Sequence, residues 1–408
     1  MTNHEYQPPG SPPSVPFAGG SNQVRVRAHN ERLVLSLVRL HGSMSKADIT
    51  RRTGLSAQTV SVIMRALEKE GLLLRGDPIR GRVGQPSIPM RLNPDAVFSF
   101  GVKIGRRSAD VVLMDFVGKI RRRVRQTYAY PRPDEIMSII LTGIDSIEAQ
   151  MSEAERAQIA GVGIAAPFEL WNWAEEVGAP PGAMDAWRQF DLHAQASAKI
   201  RHPVYLQNDA TSACGAELVF GVGPSYPDFV YFFIGSFIGG GIVLNSEVFS
   251  GRSGTAGALG PLPVRGGQGE NRQLLDIASI FVLEKLLLER GIDPQPLWYS
   301  ADEWIDFGEP LDIWIRDTAD ALAQAIVAAA SVIDFGAAVI DGGFPPWVRA
   351  RIVKATVAAV ARLDLQGVII PDIIEGAVGA QARAIGGASL PIFARYLTDQ
   401  SILFKELS

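Results

Sequence analysis

Asn208 and Asp209 are the pair of side chains best placed to do chemistry in this sequence. They end the run Val204-Tyr205-Leu206-Gln207, which reads as a strand. Ala210-Thr211-Ser212-Ala213-Cys214-Gly215-Ala216-Glu217 then leaves at once with helical character. A strand that delivers polar residues into the start of a helix is where α/β folds hold ligands. Asn208 offers a donor and an acceptor, and Asp209 an acceptor or a base, which suits a polyhydroxylated ligand. The competing use of Asp209 is to cap the helix it opens, and the two uses are compatible. Downstream, Gly239-Gly240-Gly241 reads equally as a tight turn or as a ligand or phosphate loop. Trp171, Trp173 and Trp187 can stack on a sugar ring, but filling a core is the commoner use of such residues.

A second chemical group lies near the N-terminus. Ser56 ends the turn Thr53-Gly54-Leu55 and starts a helix to about Glu70. Val60, Ile63, Met64 and Leu67 form its core stripe at i, i+3, i+4, i+7. Ala57, Gln58, Ser61, Val62 and Arg65 then face outward, with Thr59 in the first turn. Gln pairs with an adenine edge, Arg with a guanine edge or a phosphate, and small residues let a helix approach the major groove. Lys46, Arg51, Arg52 and Arg75 suit phosphates, which position a reader without specifying sequence. Arg82 and Gln85, in the loop Arg80-Gly81-Arg82-Val83-Gly84-Gln85-Pro86, are placed to enter a minor groove. The plainer alternative is a helical bundle with a basic surface.

Charge supports the first reading. Residues 1–92 hold 13 Lys and Arg against 6 Asp and Glu, a net of +7, which leaves −11 for the rest of a chain of formal charge −4. A basic head on an acidic body fits a head that meets a polyanion. At 408 residues and 47% hydrophobic, the chain can bury a sizeable core and is not disordered throughout. One cysteine, Cys214, excludes an internal disulfide framework and a multi-cysteine zinc site, and five scattered histidines leave little for a histidine-rich metal centre. No metal or other cofactor is expected. Residues 229–246 are long enough to span a membrane, but their glycines and Asn245 favour strand–turn–strand. The start of the chain is no secretory signal, so the expected place is the cytoplasm.

These groups need positioning elements. Residues 1–23, rich in Pro, Gly, Ser and Asn, read as a disordered tail. A first helix follows, with Leu33, Leu37 and Leu40 on one face and Val34 and Val38 beside them. Ser45 caps a short second helix through Arg52, with Asp48 at the capping-box position. After the third helix, Leu72–Leu74 and Ile88–Leu92 read as strands of a wing. Beyond Asn93-Pro94 the period becomes two. Val97–Ile104, Ala109–Phe116 and Lys119–Gln126 are predicted strands, followed by helix Ile136–Gln150, strand Ile159–Ala166, helix Leu192–Ile200, strand Pro203–Leu206 and helix Ala210–Phe220. A glycine-rich strand pair spans 229–250. Residues 271–290, 311–331 and 346–362 read as long helices, Val339–Asp341 as the end of a buried strand, and Ala377–Leu397 as a late helix. Such alternation gives an α/β protein with mixed sheets, and two similar halves are compatible with it.

Several stretches, in order, resemble the transcriptional-regulator branch of the ROK family (repressors, open reading frames and sugar kinases). In the head they are Arg27-Ala28-His29-Asn30, Thr53-Gly54-Leu55-Ser56, Thr59-Val60-Ser61 and Gly71-Leu72-Leu73. In the body they are the Asn208-Asp209-Ala210 strand end, Gly239-Gly240-Gly241, and Gly257-Ala258-Leu259-Gly260. The resemblance covers about residues 25–400. It implies a winged helix-turn-helix joined to a two-lobed actin-like (ASKHA) ROK domain, with a small-molecule effector, a carbohydrate or its derivative, in the cleft at Asn208 and Asp209. It also implies operator DNA as partner and a homodimer or homotetramer. The expected divisions are a tail 1–23, a winged helix-turn-helix 24–92, a first lobe 93–206 with about 385–408, and a second lobe 207–384.

The departures from that family carry as much information. Its kinases have an acidic residue and a Gly-Gly-Thr-Lys phosphate loop where this chain reads Gly101-Val102-Lys103-Ile104-Gly105-Arg106-Arg107. The usual Gly-Glu-x-Gly-His segment is Gly257-Ala258-Leu259-Gly260-Pro261, and Arg265-Gly266-Gly267-Gln268-Gly269-Glu270 stands where zinc cysteines are usual. Leu275 takes the place of a further sugar-contacting Glu. A kinase needs a base and a phosphate cradle together, and Asp209 supplies only the first. The expectation is therefore a transcriptional regulator, a repressor, and not an enzyme. The alternatives are a sugar kinase with altered contacts, a DNA-binding protein whose cleft takes no ligand, and a protein scaffold.

Overall fold

The computed structural model describes residues 22–78, 88–174, 178–252, 254–299, 301 and 304–397. They form two compact units. One takes the chain up to Leu92 with Phe249–Ala256 and the chain from Tyr396; the other takes Asn93–Val248 and Gly257–Arg395.

The first unit opens with helices α1 (Asn22–His41), α2 (Lys46–Thr53) and α3 (Ala57–Lys69). Of the expected tail, Asn22 and Gln23 already belong to α1, because the last helix breaker before them is Gly20; residues 1–21 lie outside the described residues. Leu33, Val34, Leu37 and Val38 of α1 are buried together with Ile49 of α2 and Val60, Ile63, Met64 and Leu67 of α3. Ser45 caps α2 by accepting from the Asp48 N–H, and Gly54 ends α2 in the left-handed region. Ser56 caps α3 by accepting from the Thr59 N–H. A short antiparallel pair, β1 (Leu73–Arg75) and β2 (Met90–Leu92), closes the unit, with Met44 bridging to Met90.

The second unit is built from two sheets with the same topology. The first has β3 (Phe98–Ile104), β4 (Ser108–Asp115) and β5 (Ile120–Thr127) as an antiparallel meander. After α4 (Pro133–Glu148) and α5 (Glu153–Ala157) comes β6 (Ile159–Ala166), and after α6 (Leu192–Lys199) comes β7 (Val204–Asn208). The order is β5-β4-β3-β6-β7, with β6 parallel to β3 and to β7. Helix α7 (Asp209–Phe220) leads to the second sheet. Its meander is β8 (Phe229–Ile234), β9 (Ile238–Leu244) and β10 (Glu247–Val248). The hairpin β11 (Pro263–Arg265) and β12 (Asn271–Gln273) follows, then α8 (Leu275–Ala278), α9 (Ile280–Glu289), α10 (Pro296–Tyr299) and α11 (Glu309–Ala330). Strand β13 (Ala337–Gly342), α12 (Pro346–Val360), β14 (Asp372–Glu375) and α13 (Ala382–Tyr396) complete the chain. The order β10-β9-β8-β13-β14 repeats the first sheet's order. The two similar halves that alternation permitted are thus visible in the topology.

Each sheet has its own core. Phe100, Val102, Val111, Ile140 and Ile164 are fully buried in the first half, and Phe232, Leu283, Trp314, Leu322 and Ile340 in the second. The terminal helix α13 returns to the first sheet at contact distance. A Cβ on Gly163 of β6 would lie 1.9 Å from the Gly387 carbonyl oxygen, so only glycine lets that helix lie on that strand.

Two expectations are corrected. The glycine run 239–241 is neither turn nor loop but part of β9. Gly239 and Gly241 admit α7, since their Cβ atoms would meet Ala210 at 2.8 Å and the Cys214 side chain at 2.5 Å, while Gly240 gives room to Leu259. Residues 271–290 are not one long helix. Asn271–Gln273 is the second strand of a hairpin, and the helix breaks at Ser279, which is extended (φ −76°, ψ 151°).

Candidate functional site

The outer surface of α3 carries the first set of predicted residues. Gln58, Val62 and Arg65 are exposed and Ser61 and Thr59 half-buried, all off the buried stripe. Arg65 donates from Nε to the Ser61 carbonyl at 3.0 Å, which lays it along the helix face with its remaining N–H groups outward. Thr59 Oγ1 and Ser56 Oγ are 2.8 Å apart, so these hydroxyls serve the cap. Lys46 donates to Ser61 Oγ at 3.2 Å and ties the two helices. Arg51 pairs with Asp48. Asp48 is held below the usual carboxylate range, chiefly by the Ser45 hydroxyl. Arg52 is half-buried beside His41, which burial and then Arg52 push down. Arg75 is bound twice by Glu68, at 2.5 and 3.1 Å, so it is not a free phosphate contact. Arg82 and Gln85 lie outside the described residues. The arrangement can place an amide, a guanidinium and an apolar methyl pair on one exposed strip of a capped helix, with cations at its flank.

The second set sits where β7 meets α7. Asn208, not Asp209, is the cap: its Oδ1 accepts from the Ala210 and Thr211 N–H groups, both at 3.1 Å, and from the Thr211 hydroxyl at 3.3 Å. The chain enters the helix at Asp209, so the residue before it holds the capping dihedrals. What Asn208 can offer a ligand is its amide N–H. Asp209 Oδ1 accepts from the Ala210 N–H at 3.0 Å, and Oδ2 accepts from Arg383 Nη1 at 3.1 Å. Arg383, from the start of α13, lies 4.9 Å over the Phe233 ring.

Further charged groups, unassigned by sequence reasoning, adjoin this pair. Lys103 at the end of β3 donates to Ser108 Oγ at 3.0 Å and to Asp110 Oδ2 at 3.3 Å. Arg125 donates to the same Ser108 hydroxyl and to the Trp298 carbonyl. Burial pushes Lys103 down, Asp110 opposes it, and Arg383 and Arg125 add to it, leaving it at about 8. Burial pushes Asp110 up, but Lys103, Arg123 and Arg125 outweigh it and hold it below its ordinary value. At the β3–β4 tip, Arg106 reaches the other half and donates to Glu284 of α9 at 2.7 Å, while lying 5.7 Å from the Trp298 ring. Trp173, Phe237 and Phe281 also stack in series across the halves, with centroids 4.7 and 5.2 Å apart. Trp187 is buried and donates to the Pro131 carbonyl, as a core residue does. The sequence signal for the charged set was Lys103-Ile104-Gly105-Arg106-Arg107 itself, cations where the family's kinases carry an acid and a phosphate loop.

Residues 99–273 match the ROK family, and residues 27–73 match a family described as winged helix-turn-helix DNA-binding. The xylose repressor of Bacillus subtilis (strain 168) is 25% identical over 244 residues, 60% of this chain and 62% of that repressor. The chain thus spans under two thirds of that relative's length. The crystal structure of a ROK family transcriptional regulator, a homolog of the E. coli MLC protein, superposes with a TM-score of 0.63 at 18% identity, over 94% of this chain and 99% of that one. A ROK family glucokinase from Streptomyces griseus, solved with glucose and AMPPNP, gives 0.56 at 21% identity over 72% and 98%. At these identities the two structures establish the fold. Among the described residues no helix is long and apolar enough to cross a membrane, and no group of His, Cys, Asp or Glu is arranged to hold a metal ion.

Proposed function

We propose that this chain, which carries a ROK family domain behind a winged helix-turn-helix, is a DNA-binding transcriptional repressor that responds to a sugar or sugar-derived molecule held by its body. The observation that carries the reading is the outward strip of α3, where Gln58, Val62 and Arg65 stand clear of a buried apolar stripe. Gln58 and Arg65 read base edges from the major groove; Lys46, Arg51 and Arg52 hold phosphates; Ser56, Thr59 and Ser61 set and tie the helix. The same reading gives Arg82 and Gln85, which lie outside the described residues, contacts in the minor groove. A homodimer, or a homotetramer built from dimers, places two such helices in successive major grooves, about 34 Å apart or a multiple of that.

The body acts as a sensor rather than an enzyme in this reading. A kinase needs a phosphate cradle as well as a base; Asp209 is paired with Arg383, and Gly101-Val102-Lys103-Ile104-Gly105-Arg106-Arg107 supplies no paired-glycine loop. The similarity to a repressor named for xylose supports a carbohydrate ligand. Asn208 and Asp209 contact it, and it changes operator affinity only through unequal affinity for the two states of the protein.

Operator affinity measured against salt tests the head. The log–log slope should be steep, about −0.9 for each phosphate contacted. A flat response would contradict a head held by phosphates. Turnover of ATP with a panel of sugars would favour the kinase alternative instead.

A further inference from the structure

Val62 is an apolar side chain turned away from the core of the head. It is 49% exposed, while Val60, Ile63, Met64 and Leu67 of the same helix are buried. A lone exposed valine is ordinary on a protein surface. This one stands between two side chains proposed to read base edges, Gln58 four residues before it and Arg65 three residues after. At 3.6 residues per turn the three fall within about 60° of one another around the helix, so they form one row. The row runs about 10 Å along α3, roughly three base-pair steps of a duplex.

The hydroxyls around Val62 have partners inside the head. Ser61 Oγ accepts from Lys46 at 3.2 Å, and Ser56 Oγ and Thr59 Oγ1 are 2.8 Å apart at the cap. Arg65 is laid along the helix by its bond to the Ser61 carbonyl at 3.0 Å. At its middle the row therefore presents the methyl groups of Val62. A helical valine keeps to one χ1 well, so those methyls are fixed before any partner arrives and little side-chain entropy is lost in placing them.

The major-groove edges of unmodified base pairs carry one apolar group, the 5-methyl of thymine. Their other groups there are hydrogen-bond donors and acceptors. A valine pressed against one of those strips it of water and gives it no partner, which is costly. The thymine methyl has nothing to lose by such contact and is itself removed from water.

Resting on the reading of the head as a DNA reader, we infer that Val62 is a specificity-determining residue that selects a thymine in each operator half-site by packing its methyls on the thymine 5-methyl. That thymine, on either strand, lies within about two base pairs of the pair read by Arg65, because three helical residues advance about 4.5 Å.

The test is a double exchange on the duplex that the full-length protein enriches from a random pool. Each thymine is replaced in turn by uracil, which pairs with adenine in the same way and lacks only the methyl. Wild type and Val62→Ala are titrated with every duplex. At one position of each half-site the exchange should weaken wild type by roughly threefold to tenfold, the worth of one methyl group taken from water, and Val62→Ala by less than about twofold. That position should adjoin the pair at which Arg65→Ala relaxes discrimination. Exchanges elsewhere should affect both proteins alike. Val62 lies outside the core and alanine favours a helix more than valine does, so Val62→Ala should fold as wild type by circular dichroism and keep its salt slope. If no exchange weakens wild type, or each weakens Val62→Ala by as much, the inference is overturned. A preferred duplex without the coupling removes this inference alone, whereas a folded protein that prefers no duplex removes the reading of the head and this inference with it.

Discussion

Glu284→Ala should destabilise the body by about 3–5 kcal/mol, the usual cost of stripping one partner from a buried ion pair. Glu284 and Arg106 are 10% and 6% exposed and 2.7 Å apart, and they join α9 of one half to the β3–β4 tip of the other. Removing the carboxylate takes from the buried Arg106 guanidinium its partner at 2.7 Å and leaves it against Trp298 and beside Arg107. The double variant Arg106→Met, Glu284→Leu should recover most of the loss, because the buried guanidinium is removed with its carboxylate and the more exposed Arg107 keeps the Ala129 carbonyl. Denaturant midpoints of the full chain measure both. A loss in Glu284→Ala of under about 0.5 kcal/mol, the range of ordinary surface changes, would mean the halves are not latched there in solution.

Lys103 gives the second large effect, and it depends on pH. The native state depresses Lys103 to about 8, mainly through burial, whereas the unfolded chain leaves it near the ordinary lysine value of 10.5. A depressed group contributes its full stability only above its unfolded value and loses it as pH falls through the folded one. Wild type should therefore gain stability relative to Lys103→Met as pH rises from about 8 to 10.5, by up to about 3 kcal/mol. Below about 8 the difference should be flat. Asp110 keeps Arg123 in the variant, so no bare carboxylate confuses the comparison. Stability measured by denaturant across this range checks it. A constant difference throughout would show that Lys103 is well solvated.

The head and the meander were legible because their signals are local. The α3 stripe, its Ser56 cap and the alternating strands 98–127 depend on neighbours in sequence, and the structure places them within a residue or two of the expected bounds. The break at Ser279 was not legible. Leu274, Ile277, Ala278, Phe281, Leu283 and Leu287 are all buried, so the apolar pattern runs through it unbroken. What stops the helix is tertiary: Ser279 Oγ accepts from the Ile238 N–H at 3.0 Å, and its carbonyl accepts from the Trp314 indole at 3.0 Å. Gly239-Gly240-Gly241 misled for a related reason, since Gly239 and Gly241 answer to a helix packed on their strand and Gly240 to Leu259, not to a turn. The Asp209–Arg383 pair was out of reach altogether, because 174 residues separate its members and nothing local marks Arg383.

The most direct measurement is selection from a pool of random duplexes by the full-length protein, repeated with Arg65→Ala. Wild type should enrich a defined, inverted-repeat sequence, and Arg65→Ala should bind it more weakly by about 1–3 kcal/mol, with discrimination relaxed at one base pair of each half-site. Recovery of no preferred sequence by the folded wild-type protein, or identical selection by the variant, would contradict the DNA-reading role of α3.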